Sequence, residues 1–156
     1  MEVISRSVIQ TIRLGRIIAK NLKPADIICL FGELGTGKTT LVKGIAGGLG
    51  IKKEKIISPT FVLIREHNQG RLPLYHFDLY RLKSAQSIPE LGYEEYFYDA
   101  GITVIEWADK LKYLLPKEFL KIKLSIRKDT QRSLEFTAKG SRYKELLKKI
   151  HEDIRH

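Results

Sequence analysis

The stretch that decides the fold is GELGTGKTT, residues 32–40. It matches the phosphate-binding pattern G-x-x-x-x-G-K-[S/T] of a P-loop, or Walker A motif. The continuous apolar run DIICLF (26–31) precedes it and is typical of a strand buried on both faces. KTTLVKGIAGGLG (38–50) follows it and predicts a helix that ends at glycines. Because strand, loop and helix occur in the order that a P-loop requires, we favour this interpretation over a plain glycine-rich turn.

The residues of this loop have separate chemical tasks. Its glycines allow the backbone N–H groups to point inward at phosphate oxygens, and the N-terminus of the next helix adds partial positive charge. Lys38 is expected to reach the β- and γ-phosphates of a nucleotide, and Thr39 to place its hydroxyl on Mg²⁺. The guanine-reading pattern N-K-x-D is absent from the sequence, which argues against GTP without establishing ATP.

Two acidic residues end apolar strands elsewhere in the chain. Asp78 ends LYHFD (74–78), and Glu106 ends ITVIE (102–106). A P-loop enzyme needs a second acid to hold Mg²⁺ or the attacking water, usually at the end of a neighbouring strand. Either acid alone is also explained as a paired structural carboxylate, but two of them in a chain with a P-loop favour a catalytic role. Because a buried carboxylate needs a compensating charge, we expect Asp78 to face Mg²⁺, its waters or Lys38.

Four further side chains near these elements each have two interpretations. His76 shares a strand face with the first of the two acids and either orients a partner or is a satisfied core histidine, which the sequence favours. Arg81 either stabilises a transition state or locks its strand to the neighbours. Trp107 either fills the core or covers the site. Thr60, in the stretch SPTF, either belongs to a switch-type loop near the γ-phosphate or begins the next strand.

The patterns around the P-loop predict a single α/β domain over residues 1–156. Further strands are predicted at residues 2–5, 60–67, 71–80 and 102–107. Helices are predicted within residues 5–22, 87–98 and 108–115, and from 141 onward. We expect a mixed, mainly parallel central sheet with a C-terminal antiparallel hairpin and flanking helices.

The hairpin is predicted from two alternating segments, FLKIKLSIR (119–127) and SLEFTA (133–138). The inward positions of its first strand are Leu120, Ile122, Leu124 and Ile126. The outward positions include three cations, Lys121, Lys123 and Arg127. This arrangement predicts a basic outer face.

Composition and charge narrow the classes of protein. The chain has 156 residues, of which 43% are hydrophobic and 29% charged, as in a soluble globular domain. Its single cysteine, Cys29, excludes an internal disulfide and predicts a small buried hydrophobe. No apolar run approaches the roughly 18 residues of a membrane span, and no signal-like segment opens the chain. We therefore expect a cytoplasmic protein without a membrane partner.

The positive charge is concentrated near the C-terminus. The net charge is +10, and residues 110–156 hold 14 basic and 6 acidic residues. This charge predicts either a surface that attracts nucleic acid or an acidic protein, or a solvated lysine-rich face without a partner.

Together these motifs resemble those of one family. GELGTGKTTLVKGIAGGLG, SPTF, YHFDLYRL and VIEW occur in the same order and at similar spacing in the bacterial ATPase family TsaE (YjeE). Its members take part in making threonylcarbamoyladenosine beside the tRNA anticodon. The resemblance covers nearly the whole chain, although residues after Trp107 match loosely and Glu33 stands where the family usually has Asp.

The resemblance implies a small P-loop ATPase fold, ATP and Mg²⁺ as cofactors, and roles for individual residues. The positions that match phosphate-binding residues of the family are Gly35, Thr36, Gly37, Lys38, Thr39 and Thr40. Thr39 and Glu106 match the ligands of Mg²⁺, and Asp78 matches a residue needed for activity. Thr60 matches a switch-like loop, and Thr11 a position close to the nucleotide.

The resemblance also implies partners. Family members act with the transferase subunit TsaD and its partner TsaB, and ATP hydrolysis is expected to reset that complex between turnovers. We expect the isolated chain to be a monomer. Two rival functions are a P-loop small-molecule kinase and a nucleotide-dependent, non-catalytic scaffold. The kinase needs an acceptor pocket and an arginine-rich lid, and no arginine cluster follows Trp107 within a plausible lid.

Overall fold

The structure, a computed structural model, describes residues 1–57, 63–89 and 92–156. The described strands are β1 Glu2–Ser5, β2 Ile27–Phe31, β3 Ile64–His67, β4 Leu74–Asp78, β5 Ile102–Glu106, β6 Phe119–Lys128 and β7 Gln131–Lys139. The helices are α1 Val8–Lys20, α2 Lys38–Gly48, α3 Tyr93–Phe97 and α4 Ser141–Arg155, with short 3₁₀ segments at Lys53–Lys55, Ala85–Ser87 and Ala108–Leu114. Among these described ranges, no helix is long and apolar enough to cross a membrane.

All seven strands belong to one sheet, in the order β1-β7-β6-β2-β5-β4-β3. The four central strands, β6, β2, β5 and β4, run parallel to one another, and the outer pairs are antiparallel. The predicted α/β fold with a mixed sheet, a parallel centre and a C-terminal hairpin is therefore confirmed. Parallel strands end at the same edge of a sheet, so β2, β4 and β5 bring the P-loop, Asp78 and Glu106 to one edge.

Apolar side chains cover both faces of the sheet, which explains why the central strands are apolar throughout. Every residue of β5 is buried, and so are the four residues from Ile27 to Leu30 in β2. One core lies against α1, α2 and α4, and a second lies against α3 and the 3₁₀ segment Ala108–Leu114. Cys29 lies in the second core, where burial raises the pKa of its thiol far above the ordinary value. The prediction that Cys29 is a small buried hydrophobe is confirmed.

A close backbone contact fixes α2, the helix that begins in the P-loop, against α1. A Cβ on Gly15 would lie 2.7 Å from the Cα of Gly44, and a Cβ on Gly44 would lie 2.3 Å from the carbonyl oxygen of Ile12. A larger side chain at either glycine would force the helices apart, because packed interiors have little free volume. Two glycines thus determine how closely the P-loop helix approaches its neighbour.

Strand β4 begins at Leu74, later than the predicted start at residue 71. Pro73 has no N–H group to donate to a strand ladder. The N–H of Arg71 donates instead to the carbonyl oxygen of Leu49, 2.7 Å away. The segment before β4 therefore follows the end of α2 and joins the sheet only after the proline.

The hairpin of β6 and β7 departs from its predicted pattern near the turn. Leu120, Ile122 and Leu124 are buried as predicted, but Ile126 is 55% exposed. The register between the two strands shifts between Ile126 and Lys128, as in a β-bulge. The inward stripe therefore ends at Leu124, and the prediction of an inward Ile126 is wrong.

The outer face of β6 is basic, but less uniformly than predicted. Lys123 and Arg127 are exposed. Lys121 is only partly exposed to solvent, because its Nζ lies 4.7 Å from the ring centre of Phe31. Glu135 on β7 lies opposite Lys123 and reduces the local positive charge. Of the three cations predicted on the outer face, two are exposed and Lys121 is partly buried.

Candidate nucleotide site

The P-loop lies at the edge where the parallel strands end, and its backbone explains its glycines. Gly35 has a φ of +78° and Gly37 a φ of +100°, conformations that L side chains rarely adopt. Gly32 is required for space, because a Cβ there would lie 2.4 Å from the carbonyl oxygen of Leu124. The loop therefore curves between β2 and α2 with its tight conformation set by these three positions.

Lys38 is buried at the start of α2, with only 5% of its surface exposed. Its Nζ donates to the carbonyl oxygens of Gly32 at 2.6 Å and Glu33 at 2.8 Å. The same Nζ lies 4.2 Å from the ring centre of Trp107, a cation–π distance. Burial lowers the pKa of Lys38, while nearby carboxylates, led by Glu106, oppose that shift. The loop thus holds the ammonium group of Lys38 on its own carbonyl oxygens.

The predicted metal ligands are in direct contact. Thr39 Oγ1 donates to Glu106 Oε1 at 2.8 Å. The other carboxylate oxygen, Glu106 Oε2, lies 2.5 Å from His76 Nε2. Glu106 is 2% exposed, although Thr39 is near solvent. The structure therefore brings together three residues from α2, β5 and β4.

Asp78 lies directly beside Glu106 in the parallel register of β4 and β5. Its Oδ1 accepts a hydrogen bond from the N–H of Tyr80 at 3.0 Å. Burial raises the pKa of Asp78, the Tyr80 hydrogen bond acts against this, and the charge of Glu106 adds to it. Asp78 is also electrostatically coupled to Lys38, one of its predicted partners.

These groups line one cavity of about 370 Å³. It is lined by Leu34, Gly35, Gly37, Lys38, Thr39, Thr40, Asp78, Tyr80, Arg81, Glu106 and Trp107. The rings of Tyr80 and Trp107 lie 5.0 Å apart at its wall. Trp107 lines this cavity and also packs against the second core, so the structure gives it a part in both arrangements that the sequence left open.

The oxygen ligands of this cavity suit Mg²⁺. Within residues 1–57, 63–89 and 92–156, no group of three or more His, Cys, Asp or Glu residues could hold a metal ion alone. Mg²⁺ normally takes one or two protein oxygens together with phosphate oxygens and water. The hydroxyl of Thr39 and the carboxylates of Glu106 and Asp78 fit that donor set.

A second cavity, of about 310 Å³, adjoins the first and includes Thr11. Its lining residues are Arg6, Ser7, Val8, Thr11, Gly35, Gly37, Thr40, Asp129, Thr130 and Arg132. Gly35, Gly37 and Thr40 line both cavities, so the two meet at the P-loop. Thr11 is buried here, and its Oγ1 lies 2.7 Å from Ser5 Oγ.

The turn between β6 and β7, together with the start of β7, supplies the residues that the sequence reasoning missed. Arg132 Nη2 donates to the carbonyl oxygen of Gly35 at 3.3 Å, although the two residues are far apart in the chain. The signal that would have located this turn is the direction of β6, the strand that precedes it. Because β6 is parallel to β2, the end of β6 lies at the P-loop edge.

Two of the remaining predicted residues are Thr36, which the structure describes, and Thr60, which it does not. Thr36 is buried, and its Oγ1 donates to the carbonyl oxygen of Glu33 at 2.8 Å, so its hydroxyl stabilises the loop. Thr60 and the rest of SPTF through Phe61 lie outside the described residues, and the switch-type role of Thr60 stays a prediction. A larger cavity of about 740 Å³ lies at the opposite edge, beside Lys23 and Tyr143, and contains none of the predicted site residues.

Comparisons with known proteins agree with this fold. The profile of the family described as "Threonylcarbamoyl adenosine biosynthesis protein TsaE" matches residues 5–134. A Bacillus subtilis (strain 168) relative, named tRNA threonylcarbamoyladenosine biosynthesis protein TsaE, is 42% identical over 147 residues, covering 93% of this chain and 91% of that protein. A relative of the same name from Treponema pallidum (strain Nichols) is 40% identical over 134 residues, covering 86% of this chain and 98% of that protein. The crystal structure of Bacillus subtilis YdiB superposes with a TM-score of 0.85 at 36% identity, covering 99% of this chain and 95% of that one. The chain therefore belongs to the TsaE family.

Proposed function

We propose that this chain is a Mg²⁺-dependent ATPase that acts in tRNA threonylcarbamoyladenosine synthesis together with TsaD and TsaB. The observation that carries the nucleotide part is the 2.8 Å hydrogen bond between Thr39 Oγ1 and Glu106 Oε1. It joins the P-loop threonine to the acid at the end of the next strand, the two groups with which P-loop enzymes hold Mg²⁺ beside phosphates. The names of the relatives support the pathway, since those proteins are named for tRNA threonylcarbamoyladenosine biosynthesis.

Lys38 binds the phosphates of the nucleotide. Its Nζ, which lies beside the carbonyl oxygens of Gly32 and Glu33, pairs with oxygens of the β- and γ-phosphates, which are strong partners because they are charged. Backbone N–H groups of the loop and of the start of α2 bind the same phosphates. The nucleoside occupies the adjoining cavity that Thr11 and Arg132 line. Together these groups stabilise the negative charge that develops during phosphoryl transfer.

Glu106 and Asp78 prepare the attack by water. When bound, Mg²⁺ neutralises charge on the β- and γ-phosphates. Thr39 and Glu106 hold it, and Asp78, with or without Glu106, orients water in line with the γ-phosphate. Because burial raises the pKa of Asp78, this carboxylate accepts a proton from water more readily than an exposed aspartate does.

Hydrolysis by the isolated chain is expected to be slow and to accelerate when TsaD and TsaB are added. The phosphate-side cavity opens between exposed side chains, with Leu34 68% and Tyr80 45% exposed. A partner surface over this opening excludes bulk water and fixes Asp78 and Glu106 in line. We expect the rate to rise about tenfold or more.

Steady-state phosphate release at saturating ATP and Mg²⁺, with and without the two partners, measures this effect. The rate of phosphate release measured with the Lys38→Ala chain and the same partners reports any contaminating hydrolysis. This rate is subtracted. Equal rates in the two conditions would rule out coupling to these partners while leaving the nucleotide site in place.

The basic face of β6 is expected to contact one of the macromolecular partners. Replacing Lys121, Lys123 and Arg127 with Glu should weaken binding to TsaD–TsaB or to tRNA, and added salt should weaken binding of the wild type. The matched control is reversal of three exposed cations on α4, Lys144, Lys148 and Arg155, because it changes the net charge equally. Fluorescence anisotropy with each labelled partner measures both variants. If the two variants bind alike, the β6 face is no contact surface.

A further inference from the structure

The buried histidine of β4 contacts the proposed metal acid directly. We infer that His76 is a positioning residue, which holds the Glu106 carboxylate in the orientation that Mg²⁺ binding requires. The inference rests on the proposed function, because it assigns a task within the same site. It goes further by giving a task to a side chain for which the sequence favoured a satisfied core histidine.

Glu106 is held at both of its oxygens. Thr39 Oγ1 donates to Oε1 at 2.8 Å, and His76 Nε2 lies 2.5 Å from Oε2. Rotation of the carboxylate in either direction breaks at least one of these hydrogen bonds. A ligand that is fixed before the metal arrives loses less conformational freedom on binding, so the metal binds more tightly. Among the described residues, the bond to Thr39 is the other hydrogen bond that restrains this carboxylate, and Mg²⁺ competes for that threonine.

The surroundings of His76 point to this task rather than to general support of the core. The ring is fully buried in the centre of β4. Its Nδ1 has no hydrogen-bond partner among the described residues, so the bond to Glu106 is the one that the ring makes within that part of the chain. In the tautomer in which Nε2 carries the proton, this nitrogen donates to Glu106 Oε2. If this position served only core packing, an apolar side chain would fill it without leaving an unsatisfied nitrogen.

Register explains how a core position reaches the site. Asp78 lies beside Glu106 in adjacent strands, and His76 lies two residues earlier on the same face of β4. The ring therefore approaches Glu106 from the interior, while Thr39 approaches from the P-loop. The carboxylate is supported from the side that the nucleotide does not occupy. Groups that orient a metal ligand in this way typically contribute 10–100-fold to metal affinity or activity.

Two substitutions separate positioning from packing. Gln carries its amide N–H about as far along the side chain as Nε2, whereas Asn reaches only about as far as Nδ1. We expect His76→Gln to retain most of the contact with Glu106 and His76→Asn to lose it. His76→Leu, which keeps the volume and removes both nitrogens, replaces the Asn variant if that protein does not fold. The matched control is His67→Asn, which changes another buried histidine, on β3; the hydrogen-bond partners of Glu106 among the described residues are Thr39 and His76.

The measurements are calorimetric titrations with ADP in EDTA and in Mg²⁺, the Mg²⁺ concentration for half-maximal hydrolysis, and thermal unfolding. For His76→Asn we expect unchanged ADP affinity in EDTA, to within about twofold, and roughly a tenfold or greater rise in the Mg²⁺ requirement. His76→Gln should stay close to wild type, and so should His67→Asn. Equal Mg²⁺ requirements for the Asn or Leu variant and the Gln variant would overturn the inference. If ADP binding and ATP hydrolysis by the wild type do not depend on Mg²⁺, the proposed function is wrong.

Discussion

Replacing Lys38 with Ala is expected to abolish tight ATP binding, lowering the affinity by about a hundredfold or more. Lys38 is the P-loop cation, and its buried Nζ lies beside the Gly32 and Glu33 carbonyl oxygens that the phosphates would replace. Loss of one partner of a buried charged pair typically costs about 2–5 kcal/mol, which corresponds to this change in affinity. Isothermal titration calorimetry with ATP and Mg²⁺ measures it directly.

The matched control for this prediction is Lys43→Ala, which removes a lysine from the same helix at a position that lines neither cavity of the site. That variant should bind ATP like the wild type. An unchanged affinity of the Lys38→Ala chain would eliminate the P-loop assignment, and with it the account of both cavities.

Replacing Glu106 with Gln is expected to lower the rate of ATP hydrolysis by about 10²–10³-fold while most nucleotide binding remains. The amide is nearly the same size as the carboxylate, so the fold should be preserved. It is uncharged, however, and one of its two terminal atoms becomes a donor that faces either Thr39 or His76. We therefore expect both the binding of Mg²⁺ and the orientation of the attacking water to be impaired. Single-turnover hydrolysis and ADP calorimetry, measured on the same protein, separate the rate from the affinity.

Glu33→Gln is the control for this substitution, because it makes the same chemical change at an exposed side chain of the P-loop itself. Its hydrolysis rate should match the wild type. A Glu106→Gln chain that also hydrolyses ATP at the wild-type rate would show that Asp78 alone is the essential acid, and the metal assignment to Glu106 would be wrong.

The P-loop and its two acids were predictable because each is encoded locally. The residues 32–40 carry a spaced motif between an apolar strand and a helix, and both acids end apolar runs. Parallel strands end at one edge, so Asp78 and Glu106 were expected near Lys38 before their order in the sheet was known. The structure confirms that the three lie together in one cavity.

Other parts of the site depend on contacts between distant segments, which a sequence pattern does not encode. The position of β6 beside β2 brings Arg132 to the carbonyl of Gly35. The bulge in β6 exposes Ile126, which strict alternation would have buried. The contact of His76 with Glu106 follows from the register of β4 on β5, which is fixed only when the sheet forms.

The most direct test of the central claim follows the γ-phosphate of ATP. Wild-type chain is mixed with TsaD, TsaB and ATP labelled with ³²P at the γ-phosphate, in Mg²⁺ or in EDTA, and the products are separated. The account predicts that the label appears as free inorganic phosphate in Mg²⁺ and stays on ATP in EDTA. Label transferred to a small molecule would identify a kinase, and label that stays on bound ATP in Mg²⁺ would identify a non-catalytic scaffold; either result contradicts hydrolysis by Lys38, Thr39, Asp78 and Glu106.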